Sequence, residues 1–133
     1  MRRVEWSSTL ESLGLIEPLL AEMQELEQVL SVMELRLLLS EAITNAIQHA
    51  NQLQAQKKVV IEWCRGEEAP WQVEDHYRMN SWIFSIQDEG EGFDMEEVPQ
   101  PCEMPGGRGV FILKELTKFV CYRNEERRLI FII

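Results

Sequence analysis

One long amphipathic helix in the first half of the chain constrains the fold more than any other feature. Ser31-Val32-Met33-Glu34 has the spacing of a capping box, in which a serine and a glutamate satisfy free backbone N–H groups at a helix start. Apolar residues then recur at helical spacing, which predicts a helix from about Val32 to Gln54. The core-facing stripe of this helix comprises Leu35, Leu38, Leu39, Ala42, Ile43, Ala46 and Ala50. Such a stripe needs a second apolar surface against which it can pack.

Three polar residues follow the border of that stripe. Glu41, Asn45 and His49 are spaced so that each lies about 40° around the helix from the one before it. Carboxylate and amide oxygens suit Mg²⁺, and a carboxylate can alternatively accept a proton from a nucleophile. The same spacing also fits the ordinary polar rim of an amphipathic helix, so this pattern alone leaves both interpretations open.

The segments around the long helix predict one α+β domain over residues 1–133. Strands are expected in "RRVEWSS", "KKVVIEWCRG" and "SWIFSIQ", a short helix in "GVFILKELTK", and a closing hairpin in "KFVCYRNEERRLIFII". The order β-α-α-β-β-α-β-β favours a two-layer sandwich: a mainly antiparallel mixed sheet with helices on one face. "SWIFSIQ" is apolar on both faces, which predicts a central strand.

A second helical pattern precedes the long helix, from Leu10 to Leu30. Ser8-Thr9-Leu10-Glu11 has capping-box spacing and predicts its start. Pro18 interrupts the pattern, so either the helix kinks there, or it begins near Glu17 with Pro18 in its first position.

Charge and composition exclude several functional classes. The net charge of −10 would repel a phosphate backbone, so we expect no binding to nucleic acid. No run approaches the roughly 20 apolar residues of a membrane span, so we expect no membrane insertion. The three cysteines, Cys64, Cys102 and Cys121, have the spacing of neither a disulfide framework nor a zinc site. They predict reduced thiols in a cytoplasmic protein.

The segment "DEGEGFD" directly follows the predicted central strand. Gly90 and Gly92 permit close backbone approaches, and Asp88 can accept a hydrogen bond from an amino group such as that of adenine. An EF-hand loop is disfavoured, because glycines occupy two of its ligand positions. A dinucleotide fingerprint is disfavoured too, because the third glycine is missing. A plain turn remains the alternative.

A second glycine-rich segment, "PGGRGVFILKEL", opens the short helix. Gly106, Gly107 and Gly109 precede a helix predicted to start near Val110, and free N–H groups at such a start bind anions. Arg108 adds positive charge that an acidic protein needs for a nucleotide. The P-loop pattern is absent, and a flexible loop with a helix cap remains the alternative.

Taken together and in order, these three segments resemble the ATP-binding fold of GHKL proteins. Gyrase, histidine kinases and bacterial anti-sigma-factor serine/threonine kinases share that fold, and the last group is the most similar. "LSEAITNAIQHA" resembles their N box, "DEGEGFD" their first glycine box and "GGRGVFILKEL" their second. The length and the order of elements are also similar across nearly the whole chain.

The resemblance implies a role for each candidate residue. Asn45 would hold Mg²⁺ that bridges the ATP phosphates, and Glu41 would be the general base for the attacking hydroxyl. Asp88 would bind the adenine amine. Arg108 would assist catalysis near the phosphates. The remaining residues implied in cofactor binding are His49, Gly90, Gly92, Phe93, Gly106, Gly107, Gly109 and Val110.

The resemblance also implies partners, and the chain departs from the family in two places. The expected partners are a sigma factor and a STAS-type anti-anti-sigma antagonist, and a homodimer is common among relatives. Many relatives carry a Gly-Thr pair before the last strand whose threonine contacts adenine, but "NEERRLIFII" has neither residue. The connection over residues 65–80 is longer than in the family pattern. It is either a partner-recognition feature or an exposed hairpin extension.

Three other functions compete with the kinase. A nucleotide-binding switch without kinase activity is slightly favoured by the missing Gly-Thr pair. The catalytic domain of a histidine kinase needs a helical hairpin that bears a phosphoacceptor histidine, and neither His49 nor His76 lies in one. A structural domain without ligand would lack a cleft between the long helix and the glycine loops.

Overall fold

The computed structural model describes residues 1–91 and 107–133, and only the backbone at residues 107–110. Three of the predicted site residues, Gly92, Phe93 and Gly106, lie outside the described residues. The same holds for the side chains of Arg108 and Val110.

The described strands form one five-stranded sheet in the order β1-β2-β3-β5-β4. Every pair of neighbouring strands is antiparallel. The strands are β1 Arg2–Ser7, β2 Lys58–Arg65, β3 Trp82–Gln87, β4 Phe119–Arg123 and β5 Arg128–Ile132. The prediction of a central strand in "SWIFSIQ" is confirmed, because β3 occupies the middle position. The α+β sandwich and its order of elements are confirmed as well.

The helices lie over one face of this sheet. They are α1 Ile16–Ala21, α2 Val32–Thr44 and α3 Gly107–Leu116, with 3₁₀ turns at Leu10–Leu15 and Gln24–Gln28 on either side of α1. Pro18 lies in the first turn of α1, where its missing N–H costs no hydrogen bond. The helix therefore starts at Ile16, close to the second of the two alternatives, but Pro18 is its third residue and not its first. No helix within residues 1–91 and 107–133 is long and apolar enough to span a bilayer.

One of the two predicted capping boxes is confirmed. The Ser31 hydroxyl accepts from the Glu34 N–H, and the Glu34 carboxylate accepts from the Ser31 N–H. The box predicted at Ser8 is wrong, because Thr9 is the N-cap and makes no capping hydrogen bond. The Ser8 hydroxyl instead donates to the Lys57 carbonyl at 2.8 Å, so a tertiary contact has replaced the local one.

The predicted long helix ends earlier as an α-helix than its pattern indicates. The α-helical hydrogen bonding stops at Thr44, and a π-helical turn continues over Asn45–Ala50. Within that turn the Asn51 N–H donates to the Ala46 carbonyl at 2.9 Å, one residue further back than in an α-helix.

The main core fills the space between the helices and the sheet. Its fully buried members include Leu38, Leu39, Ile43, Ile61 and Phe84. These residues come from α2, β2 and β3. The predicted stripe of α2 is buried as expected, apart from Ala50, which is half-buried.

A smaller apolar cluster covers the opposite face of the sheet. Ala69 and Trp71, from the connection between β2 and β3, pack against three isoleucines of β3 and β5, Ile83, Ile130 and Ile132. Trp71 is only 8% exposed. The connection is exposed at Pro70 and His76, but its side chains at Ala69 and Trp71 shield the second face of the sheet from water.

Candidate functional site

The junction between α2 and the π-helical turn carries two of the candidate residues. Glu41 lies in the last part of α2, and Asn45 begins the π-helical turn. Both side chains are half-buried. Neither makes a hydrogen bond or an ion pair with any described residue. A carboxylate and a carboxamide thus lie on consecutive helical turns, and their oxygens accept no hydrogen bond from the described residues.

A narrow pocket lies beside these residues, between the helix and the sheet. It is lined by Ala42, Asn45, Ala46, Ala50, Ile86, Asp88 and Leu129. The structure therefore brings Asn45 and Asp88, which are distant in sequence, to the same pocket. Three alanines on the helix and two aliphatic residues on the sheet make most of the lining apolar.

The volume of this pocket between its lining residues is about 10 Å³. That is about the space of one water molecule. A purine is larger than this volume, so a bound purine would also extend beyond it.

The Asp88 carboxylate is held from two sides. Its Oδ1 accepts from the Gly90 N–H at 2.8 Å, and its Oδ2 accepts from the Tyr122 hydroxyl at 2.8 Å. The residue is 5% exposed. Burial raises the pKa of Asp88, while the bonds from Gly90 and Tyr122 and the charges of Arg127 and Lys57 act in the opposite direction. Burial and the bond to Asp88 raise the pKa of Tyr122.

Gly90 is required by a close approach between the loop and the helix. A Cβ atom at Gly90 would lie 2.3 Å from the carbonyl oxygen of Ala50. Any side chain at this position would therefore push the loop after β3 away from the π-helical turn. The close contact with Ala50 is therefore a steric reason for a glycine at position 90.

Asn51 is a site residue that the sequence analysis missed. It is fully buried, and its amide nitrogen donates to the Ser8 hydroxyl at 2.8 Å and to the Lys58 carbonyl at 3.1 Å. Its amide oxygen accepts from the Glu89 N–H at 2.8 Å. One side chain thus joins the end of β1, the start of β2 and the loop after β3. An asparagine directly after a helix is the only sequence signal for it.

Arg127 also holds the loop after β3. It lies in "NEERRLIFII", the segment that lacks the Gly-Thr pair. Its Nε donates to the Gly90 carbonyl at 2.7 Å, and its own carbonyl accepts from the Asp88 N–H at 2.9 Å. Its φ of 54° is left-handed, a region where glycine is more usual. The loop at Asp88–Gly90 is therefore held by a helix, a strand and a turn.

Other predicted residues lie apart from the described pocket. His49 is exposed and does not line it, so a role for His49 near phosphates stays a prediction. The α3 helix packs against α2, and its backbone starts at Gly107, earlier than the predicted start near Val110. The first turn of α3 therefore contains Gly107, Arg108, Gly109 and Val110.

The described residues fit a magnesium ion only together with a nucleotide. No group of three His, Cys, Asp or Glu side chains among them is placed to hold a metal. The Asn45 amide supplies one oxygen of the kind that Mg²⁺ prefers, with no competing hydrogen bond in the described residues. Most of the remaining ligands would have to be phosphate oxygens and water.

Comparison with known proteins assigns the chain to one family. A search of curated proteins found no match to this chain. A family model described as a histidine kinase-like ATPase domain matches residues 6–133, which is nearly the whole chain. This span contains Asn45, Asp88 and the first turn of α3. The chain therefore belongs to the histidine kinase-like ATPase domain family.

Proposed function

We propose that this protein is an anti-sigma-factor-type kinase. It binds Mg·ATP and transfers the γ-phosphate to a serine or threonine of a STAS-type antagonist protein, and it binds a sigma factor in the alternative state. The observation that carries the proposal is the convergence of Asn45 and Asp88 on one pocket, within a chain of the histidine kinase-like ATPase family.

The sheet side of the pocket suits the base of the nucleotide. Asp88 offers carboxylate oxygens at the end of β3, and Ile86 and Leu129 provide apolar surface beside it. An amino group of adenine would donate to the carboxylate, while the ring would pack on the aliphatic side chains. This combination of one polar anchor and apolar walls is usual for small-molecule sites.

The helix side of the pocket suits the phosphates. Asn45 would hold Mg²⁺ through its amide oxygen, and the ion when bound would neutralise charge on the phosphate oxygens. The backbone N–H groups in the first turn of α3 would face the same anion, because a helix N-terminus attracts negative charge. Arg108 in that turn would add a positive charge, which a protein with a net charge of −10 needs at this place.

Glu41 is the proposed general base. It lies one helical turn before Asn45, so its carboxylate and the metal-binding amide share the border of α2. Because its carboxylate makes no hydrogen bond with the described residues, it is available to accept the proton of the attacking hydroxyl. Phosphoryl transfer otherwise needs mainly positioning and charge neutralisation.

The proposal is tested by transfer from labelled ATP in the presence of Mg²⁺ and candidate antagonist proteins. Glu41→Gln should abolish transfer and leave ATP affinity within about twofold. Asn45→Ala should weaken Mg·ATP binding as well as transfer. Glu27→Gln is the control for Glu41→Gln, because Glu27 is exposed and lies outside the three candidate segments. Gln48→Ala is the control for Asn45→Ala, because Gln48 does not line the pocket. Both controls should bind ATP and transfer phosphate like the wild type. Full transfer by Glu41→Gln would contradict the proposed base.

A second candidate function is a switch that binds ATP and sequesters a regulator without transferring phosphate. One observation favours it: the absence of the Gly-Thr pair from "NEERRLIFII". Under this alternative, calorimetry would detect ATP binding, and no antagonist would become labelled. The same assay therefore separates the two candidates.

A further inference from the structure

Tyr122 contacts the pocket residue Asp88 from the edge strand of the sheet. It lies on β4, where its register partner on β5 is Leu129. Leu129 also pairs with Ile86 on β3, so the three residues form one row on the helix-facing side of the sheet. Ile86 and Leu129 line the pocket, and the Tyr122 hydroxyl donates to Oδ2 of Asp88 at its end.

This hydroxyl governs what the Asp88 carboxylate can do. A carboxylate oxygen has two lone pairs, so Oδ1 and Oδ2 can each accept one more hydrogen bond beyond those from Gly90 and Tyr122. Asp88 is 5% exposed, and a buried carboxylate is favourable as an anion only while donors face it. Tyr122 supplies the side-chain donor and also fixes the plane of the group.

An anionic carboxylate that only accepts hydrogen bonds discriminates between purines. It pairs with a 6-amino group, gains nothing from a purine without one, and faces an acceptor in a 6-keto purine. We propose that Tyr122 is a positioning residue that acts through Asp88 to set the preference of this pocket for a 6-aminopurine nucleotide. This inference rests on the proposed function. In this chain, which lacks the Gly-Thr pair, Tyr122 would act on the base only through Asp88.

The test compares ATP with purine riboside triphosphate, which lacks the 6-amino group, by calorimetry with Mg²⁺. The wild-type chain should bind ATP more tightly than the analogue. Tyr122→Phe should reduce that preference by about threefold to tenfold, the range that corresponds to one ordinary net hydrogen bond, because Tyr122 acts on the base only through Asp88. Its affinity for the analogue should change by less than twofold, since no 6-amino bond is at stake.

Tyr77→Phe is the matched control, because it removes the hydroxyl of the only other tyrosine, whose ring packs on Phe119 away from the pocket. It should keep the wild-type preference. If Tyr122→Phe also keeps that preference, the inference is overturned while the proposed function stands. If the wild-type chain binds no ATP, both are overturned.

A measurement on the wild-type chain covers the case in which Tyr122→Phe does not fold. With tyrosine labelled at ¹³Cζ, the Tyr122 resonance should shift on saturation with ATP and shift less with the analogue. Equal shifts with both nucleotides would overturn the inference.

Discussion

Gly90 lies against Ala50 so closely that a Cβ atom on Gly90 would be 2.3 Å from the Ala50 carbonyl oxygen. This contact joins the π-helical turn that follows α2 to the loop that follows β3. It is one of two contacts between the segment with Asn45 and the segment with Asp88 that are described above, and the hydrogen bond from Glu89 to Asn51 is the other. The geometry of the pocket therefore depends on a missing side chain as much as on the side chains that line it.

Replacing Gly90 should separate these two segments. Gly90→Ala must displace either the loop or the helix backbone, because the atom that it meets belongs to the main chain. We expect the free energy of unfolding to fall by about 1–3 kcal/mol, as for other overpacked sites. ATP binding should weaken by about tenfold or more. Urea unfolding and calorimetry measure the two effects.

Gly14→Ala is the control for this substitution. A Cβ atom at Gly14 would meet nothing within 4 Å, so the variant should keep its ATP affinity. Equal effects of the two substitutions would show that the Ala50 contact has no special role.

Asn51 should be necessary for stability, since it connects three parts of the chain. In Asn51→Ala the Glu89 N–H, the Ser8 hydroxyl and the Lys58 carbonyl lose a buried partner. Each buried group left unpaired costs about 1–3 kcal/mol. We expect urea unfolding at a clearly lower midpoint with an unchanged slope. Gln28→Ala, at an exposed position, should unfold like the wild type.

Local patterns explain why much of the fold could be predicted from the sequence. The Ser31–Glu34 capping box, the stripe of α2 and the two apolar faces of β3 depend on residues close together in the chain. Glu41, Asn45, Asp88 and the glycines could be selected because their spacing resembles one family.

The other contacts of the site come from residues far apart in sequence, and local patterns do not reveal them. The capping pattern at Ser8 competed with a tertiary bond from Asn51, and the tertiary bond prevailed. A π-helical turn changes the backbone partner but not the side-chain pattern, so the sequence continued to predict an α-helix. Tyr122 could have been identified only from the strand register, which places it in line with Leu129 and Ile86.

Stability should depend on pH through Asp88. Because burial raises its pKa in the folded state, the folded protein binds a proton more readily than the unfolded chain. The contribution of Asp88 to the free energy of unfolding should therefore fall as pH rises from about 3.9, the ordinary aspartate pKa, through its raised value. Among the described residues, the charged and titratable side chains that act on Asp88 are Tyr122, Arg127 and Lys57.

Asp88→Asn isolates this contribution, because it removes the titration and keeps the size of the side chain. The difference in unfolding free energy between wild type and variant, measured by urea unfolding at several pH values, should decline through that window. In the wild type, ATP affinity should instead rise as pH rises through that window, because a protonated carboxyl is a weaker acceptor for a hydrogen bond from the amino group of adenine. A difference that does not vary with pH would contradict the assigned direction of the pKa.

Arg78 should stabilise the cover on the second face of the sheet without affecting the pocket. Its guanidinium donates to the carbonyls of Ala69 at 3.0 Å, Trp71 at 3.1 Å and Gly66 at 3.4 Å. In Arg78→Lys a single ammonium group cannot reproduce the hydrogen bonds from two guanidinium nitrogens to these three carbonyls. The unfolding free energy should therefore fall by about 1–2 kcal/mol. Amide exchange at Gly66 and Ala69 should accelerate. ATP affinity should remain unchanged, because the pocket lies on the other face. Arg3→Lys is the control, because it makes the same exchange at an exposed position. It should change neither the unfolding free energy, nor amide exchange, nor ATP affinity. A loss of ATP affinity in Arg78→Lys would contradict the prediction and would mean that the two faces of the sheet are coupled.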